Sequence, residues 1–72
     1  MDDLMVAPSN IVERFNISYQ TLNNYTNIGL LVVRRKKGNV RFYNLNEVKR
    51  RLDNIDKLKN KGYTLRLISN ML

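Results

Sequence analysis

The 72-residue sequence contains no cysteine and no histidine. Without cysteine there can be no disulfide bond or thiolate metal site, and without histidine there is no imidazole ligand. The usual nucleophile and base pairs of covalent catalysis are missing for the same reason. The six acidic residues are scattered along the chain. We therefore predict that the protein is not an enzyme and that it holds no metal or other cofactor.

Long apolar runs are also missing. The run at residues 30–33 is four residues long, whereas a helix needs about 20 apolar residues to cross a membrane. The N-terminus carries Asp2 and Asp3 instead of the basic start of a signal peptide. Together with the lack of cysteine, these features predict a cytoplasmic protein that does not bind membranes.

The length fits one small domain, and hydrophobic residues make up 43% of the chain, as in globular proteins. We predict a single domain over residues 1–72, in which residues 1–6 form a loose N-terminal arm.

Positive charge is concentrated in one part of the sequence. Thirteen Lys and Arg residues against six Asp and Glu residues give a net charge of +7. Residues 34–51 hold eight of these cations and a single acid, Glu47, whereas residues 1–33 hold only Arg14. A basic patch on a small domain favours nucleic acid as the partner first, and an anionic membrane or an acidic protein second.

The first half of the chain predicts two short helices. The first should begin near Pro8, which is tolerated in a first helical turn, and end at Asn16, which tolerates the left-handed conformation. Ser18 is a good cap for a second helix, which Gly29 should end. Two helices joined by about three residues form a helix-turn-helix.

The next segment predicts a hairpin, which we name the wing (residues 32–43). Its strands flank a basic tip with a Gly38-Asn39 turn, two residue types that accept positive φ. Four side chains are candidates to pack inward, although the sequence leaves open which alternate set does so. They are Leu31, Val33, Val40 and Phe42.

Two further helices should follow the wing. Asn44 and Glu47 form a pattern like a capping box at the start of a third helix, which Gly62 ends. Thr64 can cap a short fourth helix. The predicted fold is therefore mainly α: a winged helix-turn-helix with about four helices and a small two-stranded antiparallel wing.

The second helix, residues 19–28, has two different faces. Leu22, Tyr25 and Ile28 are spaced to pack on the core. The opposite face carries four amide side chains, those of Gln20, Asn23, Asn24 and Asn27. An amide offers a donor and an acceptor at one tip, and this pair reads adenine in the major groove. A solvated polar face is the alternative interpretation. Tyr25 and Tyr43 are predicted to be core residues whose hydroxyl groups reach the surface.

Four segments, in this order, resemble the DNA-binding domain of MerR-family transcription regulators. They are APSNIVERFNIS, the helix that ends in TLNNYTNIGLL, NVRFYNLNEVKR and KLKNKGYTLRLISNML. The resemblance implies a winged helix-turn-helix that binds double-stranded DNA. Family members normally continue into a dimerising helix and an effector domain, so the chain is expected to be a fragment or a short relative like the excisionases.

The sequence departs from the family at two DNA-contacting motifs. Asn23-Asn24-Tyr25 stands where relatives have Arg-Tyr-Tyr, and Asn39-Val40-Arg41 stands where they have Gly-Tyr-Arg. By the resemblance, Arg41 is the phosphate contact that carries over. Base recognition should therefore be particular to this protein.

We expect two groups of DNA contacts. The second helix should contact bases and, at its start, a phosphate; the wing and the start of the third helix should contact phosphates. The first group is Ser18, Tyr19, Gln20, Asn23, Asn24 and Asn27. The second group is Arg34, Arg35, Lys36, Lys37, Arg41, Lys49 and Arg50.

These contacts predict a sequence-specific transcription regulator associated with the nucleoid. The alternatives are a recombination or segregation accessory protein of the excisionase type, or a binder of anionic membranes or acidic proteins. Leu67 and Met71 fall away from the inward side of the fourth helix, which suggests self-association through that helix.

Overall fold

Four helices and three short strands make up residues 4–72, the part of the chain described by this computed structural model. The mainly helical winged helix-turn-helix predicted from the sequence is confirmed. The elements in chain order are β1 (Met5–Val6), α1 (Pro8–Phe15), α2 (Tyr19–Asn27), β2 (Arg35–Lys37), β3 (Val40–Asn44), α3 (Leu45–Asn60) and α4 (Leu65–Met71).

The sheet has three antiparallel strands in the order β1-β3-β2, one more than predicted. The extra strand, β1, pairs Met5 with Asn44 and Val6 with Tyr43. The expectation of a loose arm over residues 1–6 is therefore wrong for Met5 and Val6. Val6 is buried in the core, and burial of its side chain stabilises the added strand. The part of the expected arm at residues 1–3 lies outside the described residues.

The helix-turn-helix forms through the predicted local signals. Pro8 lies at the start of α1, and Asn16 ends this helix in the left-handed conformation with a φ of 54°. The Ser18 hydroxyl oxygen then accepts a hydrogen bond from the Thr21 amide at 3.0 Å and caps α2. A cap of this kind stabilises a helix by about 1 kcal/mol. The turn between the two helices is thus fixed by its own sequence.

The wing connects to α3 without a loop. Strand β3 ends at Asn44, whose side-chain oxygen accepts a hydrogen bond from the Glu47 amide at 2.9 Å and caps α3. Thr64 caps α4 in the same way, by accepting from the Leu67 amide at 3.3 Å. Both predicted caps are confirmed.

The core lies between the helices and the base of the wing. Its buried hydrophobic residues come from every helix, from β1 and β3, and from the segment after α2. They are Val6, Ile11, Leu22, Tyr25, Leu30, Leu31, Tyr43, Val48, Ile55 and Ile68.

Two side chains are placed differently from the prediction. Val40 was a candidate to pack inward but is 45% exposed, because the end of the wing extends beyond the helices. Tyr43, nearer the helices on the same strand, is fully buried, as predicted for a core residue. Ile28 is 44% exposed because it follows the last residue of α2 and no longer lies on the inward face of that helix.

The Tyr43 hydroxyl is inside the protein and not at the surface as predicted. It donates a hydrogen bond to the Thr26 hydroxyl oxygen at 2.8 Å, and Thr26 donates to the Leu22 carbonyl, also at 2.8 Å. This chain of bonds joins strand β3 of the wing to the interior of α2. A buried hydroxyl needs such a partner because leaving it unpaired costs about 1–3 kcal/mol.

Candidate nucleic-acid interface

Helix α2 presents its amide face to solvent. Leu22 and Tyr25 are buried, as the helical period requires if the amides point outward. The four amide side chains that were predicted to read bases are all exposed, and Tyr19 at the helix start is 53% exposed. The exposed residues of this face are Tyr19, Gln20, Asn23, Asn24 and Asn27.

One edge of this amide face meets the wing in a concave surface of about 370 Å³. Tyr19 and Asn23 line it from α2, and Arg41 lines it from β3. The structure thus brings together three predicted DNA contacts from two different elements. The start of α1 completes the surface with Ala7, Pro8 and Ser9.

Ser9 is a neighbour of these contacts that the sequence analysis missed. The first amides of any helix have no acceptor within the helix, and Ala7 at the cap of α1 offers no side-chain acceptor. The available signal in the sequence was Ala7 at the cap position of α1, because alanine leaves the first amides of the helix without a side-chain acceptor. Only the tertiary structure, however, shows that this start lies beside Arg41.

The other edge of the amide face meets α4. Asn24, Asn27 and Ile28 line a second groove, of about 500 Å³, together with Leu65, Arg66 and Ser69 of α4. Asn23 and Asn24 therefore border different neighbours although they are adjacent in sequence. Arg66 is a second residue that the sequence analysis missed, because its position beside two predicted base-reading amides depends on how α4 packs.

The outer part of the wing is exposed and cationic. All residues from 35 to 41 are exposed, and four of them are Lys or Arg. In the turn, φ is positive at Gly38 but not at Asn39. A positive φ at the first of two turn residues is the pattern of a type II′ hairpin turn. Lys36 lies directly opposite Arg41 in the strand pairing. Like charges in opposite positions destabilise a hairpin, so the fold tolerates a local repulsion here.

Arg34, at the base of the wing, already has a partner in the protein. Its Nε and Nη2 donate to the two carboxylate oxygens of Glu47 at 3.0 and 2.5 Å. The ion pair therefore engages the Arg34 guanidinium, the group that was predicted to contact a phosphate. Hydrogen bonding to Arg34 holds the pKa of the Glu47 carboxyl below its ordinary value, and the same bonds raise the pKa of Arg34.

Lys49 and Arg50 are exposed but do not border the concave surface that Arg41 lines with Tyr19 and Asn23. Arg50 lies in a separate polar depression of about 600 Å³, together with Met5, Arg34 and Glu47. Lys49 and Arg50 also share an outer surface of α3 with Asp53 and Lys57. The structure therefore places these two cations apart from the amide face of α2.

The Glu47 ion pair predicts a loss of stability in acid. The pKa of Glu47 is lowered in the folded protein by Arg34, with smaller contributions from Arg50 and Arg51. Its contribution is therefore fully present above the unfolded-state pKa of about 4.3. It is lost as the pH falls through the lower, folded-state value.

Thermal unfolding between about pH 7 and pH 2 tests this expectation. Glu47→Gln should be less stable than the original protein at neutral pH, and the gap should close in acid. A gap that stays constant over this range would contradict the role of the Glu47 charge.

The described residues contain neither a membrane-spanning helix nor a cluster of metal ligands. Over residues 4–72, no helix is long and apolar enough to span a membrane. In the same part of the chain, no group of three or more acidic side chains is placed to hold a metal ion.

Comparison with known proteins gives one match. Residues 8–72 match the family described as MerR HTH family regulatory protein. No curated protein and no solved structure matches the chain. The matched region runs from the start of α1 to the C-terminal residue and so includes the helix-turn-helix, the wing, α3 and α4.

Proposed function

Since the chain belongs to the MerR family of helix-turn-helix regulatory proteins, we propose that α2 reads base edges in the major groove of DNA while the wing binds phosphates. Membership of this family makes the protein a DNA-binding transcription regulator with a winged helix-turn-helix fold. One observation supports the finer proposal most strongly. The exposed amide face of α2 shares a concave surface with Arg41 of the wing, so one duplex can contact both.

The amide face supplies the sequence preference in this proposal. A side chain of Asn or Gln that bonds adenine through two hydrogen bonds discriminates against other bases by about 1–3 kcal/mol. Four such side chains are exposed on α2. We therefore expect preferred sites to be rich in A·T pairs.

The wing supplies affinity that does not depend on sequence. Arg35, Lys36, Lys37 and Arg41 are exposed there. A phosphate between Lys36 and Arg41 would relieve their mutual repulsion, because each cation then faces an anion. The backbone of DNA offers a row of such phosphates.

The start of α2 is a further phosphate site in this proposal. Tyr19 is 53% exposed, and the first amides of a helix have no acceptor within the helix itself. The Ser18 hydroxyl already donates to the Thr21 hydroxyl at 2.9 Å and accepts from its amide. We therefore assign Ser18 the role of shaping this helix start.

One domain of this size covers half of a typical operator, so we propose that two copies bind together, about one turn of DNA apart. Leu67 and Met71 on α4 are 51% and 53% exposed and offer an apolar contact between copies. A regulator of this kind acts in the cytoplasm, on the DNA of the nucleoid.

The proposal predicts a difference between two single cation substitutions. Arg41→Ala should weaken binding to all duplexes about equally, because it removes a phosphate contact beside α2. The slope of log K against log[salt] is near −5 if about six cations engage phosphates, and its magnitude should fall by about 0.9 in this variant. Lys57→Ala, an exposed cation on α3, is the matched control.

Binding to random duplexes over a salt series gives the measurement. Equal losses for Arg41→Ala and Lys57→Ala would remove the special role of Arg41. The proposed function itself would be overturned if DNA binding by the unmodified protein did not depend on salt. It would also be overturned if the protein bound acidic peptides or anionic vesicles and DNA did not compete with them.

A further inference from the structure

The base of the wing is held to α3 by the side chain of Glu47. Both carboxylate oxygens accept from Arg34, which immediately precedes β2. A pair of parallel charge-assisted bonds fixes the relative orientation of the two groups as well as their distance. Glu47 is only 13% exposed in its side chain, so its carboxylate has little freedom to move.

The second strand of the wing reaches the same turn of α3. Asn44, the last residue of β3, accepts a hydrogen bond from the Glu47 amide. The Arg34 amide donates to the Phe42 carbonyl at 2.9 Å and closes the hairpin at this end. Glu47 therefore contacts the base of both strands, one through its side chain and the other through its backbone.

The far end of the wing has no comparable support. Residues 35–41 are exposed throughout, so the direction in which they point is set at the base. Strands rise about 3.3 Å per residue, so the turn at Gly38 lies roughly 13 Å from Arg34, and a tilt of about 10° at the base would move it by about 2 Å. Arg41 pairs with Lys36, two residues from Arg34, so the same tilt would move it by about 1 Å. Such a shift would lengthen its contact with a phosphate while α2 is bound to the same duplex.

We infer that Glu47 is a positioning residue that sets the direction of the wing for simultaneous contact of the wing and α2 with one duplex. This inference rests on the proposed function. It also explains why the basic segment 34–51 contains one acid. By its charge alone Glu47 repels DNA, whereas by its bonds to Arg34 it aligns four other cations of the wing with DNA.

The two effects of Glu47 have opposite signs, which makes the inference testable. Glu47→Gln removes one negative charge and keeps the size of the side chain. If charge alone mattered, the variant should bind DNA more tightly. If positioning dominates, it should bind a selected duplex about fivefold more weakly, because a hydrogen bond to a charged group is lost.

Asp56→Asn is the matched control. Asp56 is an exposed acid on the same helix, and its side chain takes part in none of the ion pairs of residues 4–72. This variant should bind DNA as tightly as the original protein or more tightly. The double variant with Glu at position 34 and Arg at position 47 (R34E and E47R) should recover most of the affinity that Glu47→Gln loses.

A second measurement needs no DNA. Hydrogen exchange of the Arg34 amide, which bonds Phe42, should become at least about fivefold faster in Glu47→Gln and remain unchanged in Asp56→Asn. Equal affinities and equal exchange rates in the two variants would overturn the positioning role. If the unmodified protein bound no duplex, the proposed function would fail, and hydrogen exchange would still decide whether Glu47 holds the wing.

Discussion

Neutralising the four cations of residues 35–41, the outer part of the wing, should lower the affinity for any DNA duplex about a thousandfold near 0.1 M salt. The substitution replaces Arg35, Lys36, Lys37 and Arg41 with glutamine. Each cation that engages a phosphate contributes about −0.9 to the slope of log K against log[salt], so the magnitude of the slope should fall by about 3.6. Binding to random duplexes at several salt concentrations measures both quantities.

Stability distinguishes this effect from unfolding. The four side chains are exposed, and Lys36 faces Arg41 across the hairpin. Removing like charges from opposite positions should leave the unfolding temperature unchanged or raise it. The effect on DNA binding therefore cannot be attributed to a weakened fold if the unfolding temperature holds.

A matched control comes from exposed lysines at the far end of α3. Replacing Lys57, Lys59 and Lys61 with glutamine lowers the net charge by three without touching the wing. The loss of affinity for each removed charge should be much smaller than in the wing variant. Equal losses for each charge would mean that overall charge, and not the position of the wing, governs binding.

Features that depend on neighbouring residues in the chain were predictable from the sequence. The caps at Ser18, Asn44 and Thr64 form as expected, and Asn16 adopts the left-handed conformation. Each is a bond or a backbone preference within a few residues, so a single sequence carries enough information.

Features that depend on distant residues were not predictable in this way. Strand β1 has two residues, too few to show a period, and it forms only because β3 offers a free edge. The pattern Asn44 to Glu47 was read as a capping box, but the Glu47 carboxylate binds Arg34, 13 positions earlier in the chain. Val40 is exposed because the end of the wing extends beyond the helices, and a two-residue period shows neither which face of a strand is buried nor how far the strand extends from the core.

The candidate interface was predictable only in part, because some of its features depend on nearby residues and others on distant ones. The helical period placed the amides on one exposed face of α2, and the structure agrees. The neighbours of that face come from elsewhere in the chain, namely the start of α1, the wing and α4. Sequence spacing alone could not show that Asn23 lies beside Arg41 while Asn24 lies beside Arg66.

Replacing both Asn23 and Asn24 with alanine should remove much of the base preference while leaving general affinity for DNA largely intact. If each amide reads one base, discrimination should fall by about 1–3 kcal/mol at each of two positions, which is up to about a hundredfold per base. The cations of the wing remain in place, so the salt dependence should not change. Selection of bound sequences from a random duplex pool, for both proteins, measures the preference directly.

The double variant should remain folded, because both side chains are exposed and alanine favours helix more than asparagine does. Asn60→Ala with Asn70→Ala is the matched control, since these two amides are also exposed but lie on α3 and α4. The control should select the same sequences as the original protein. If the Asn23 and Asn24 variant selected those sequences too, neither of these two amides would read DNA. Recognition would then have to come from the remaining residues of the interface, such as Gln20, Asn27 and Arg66.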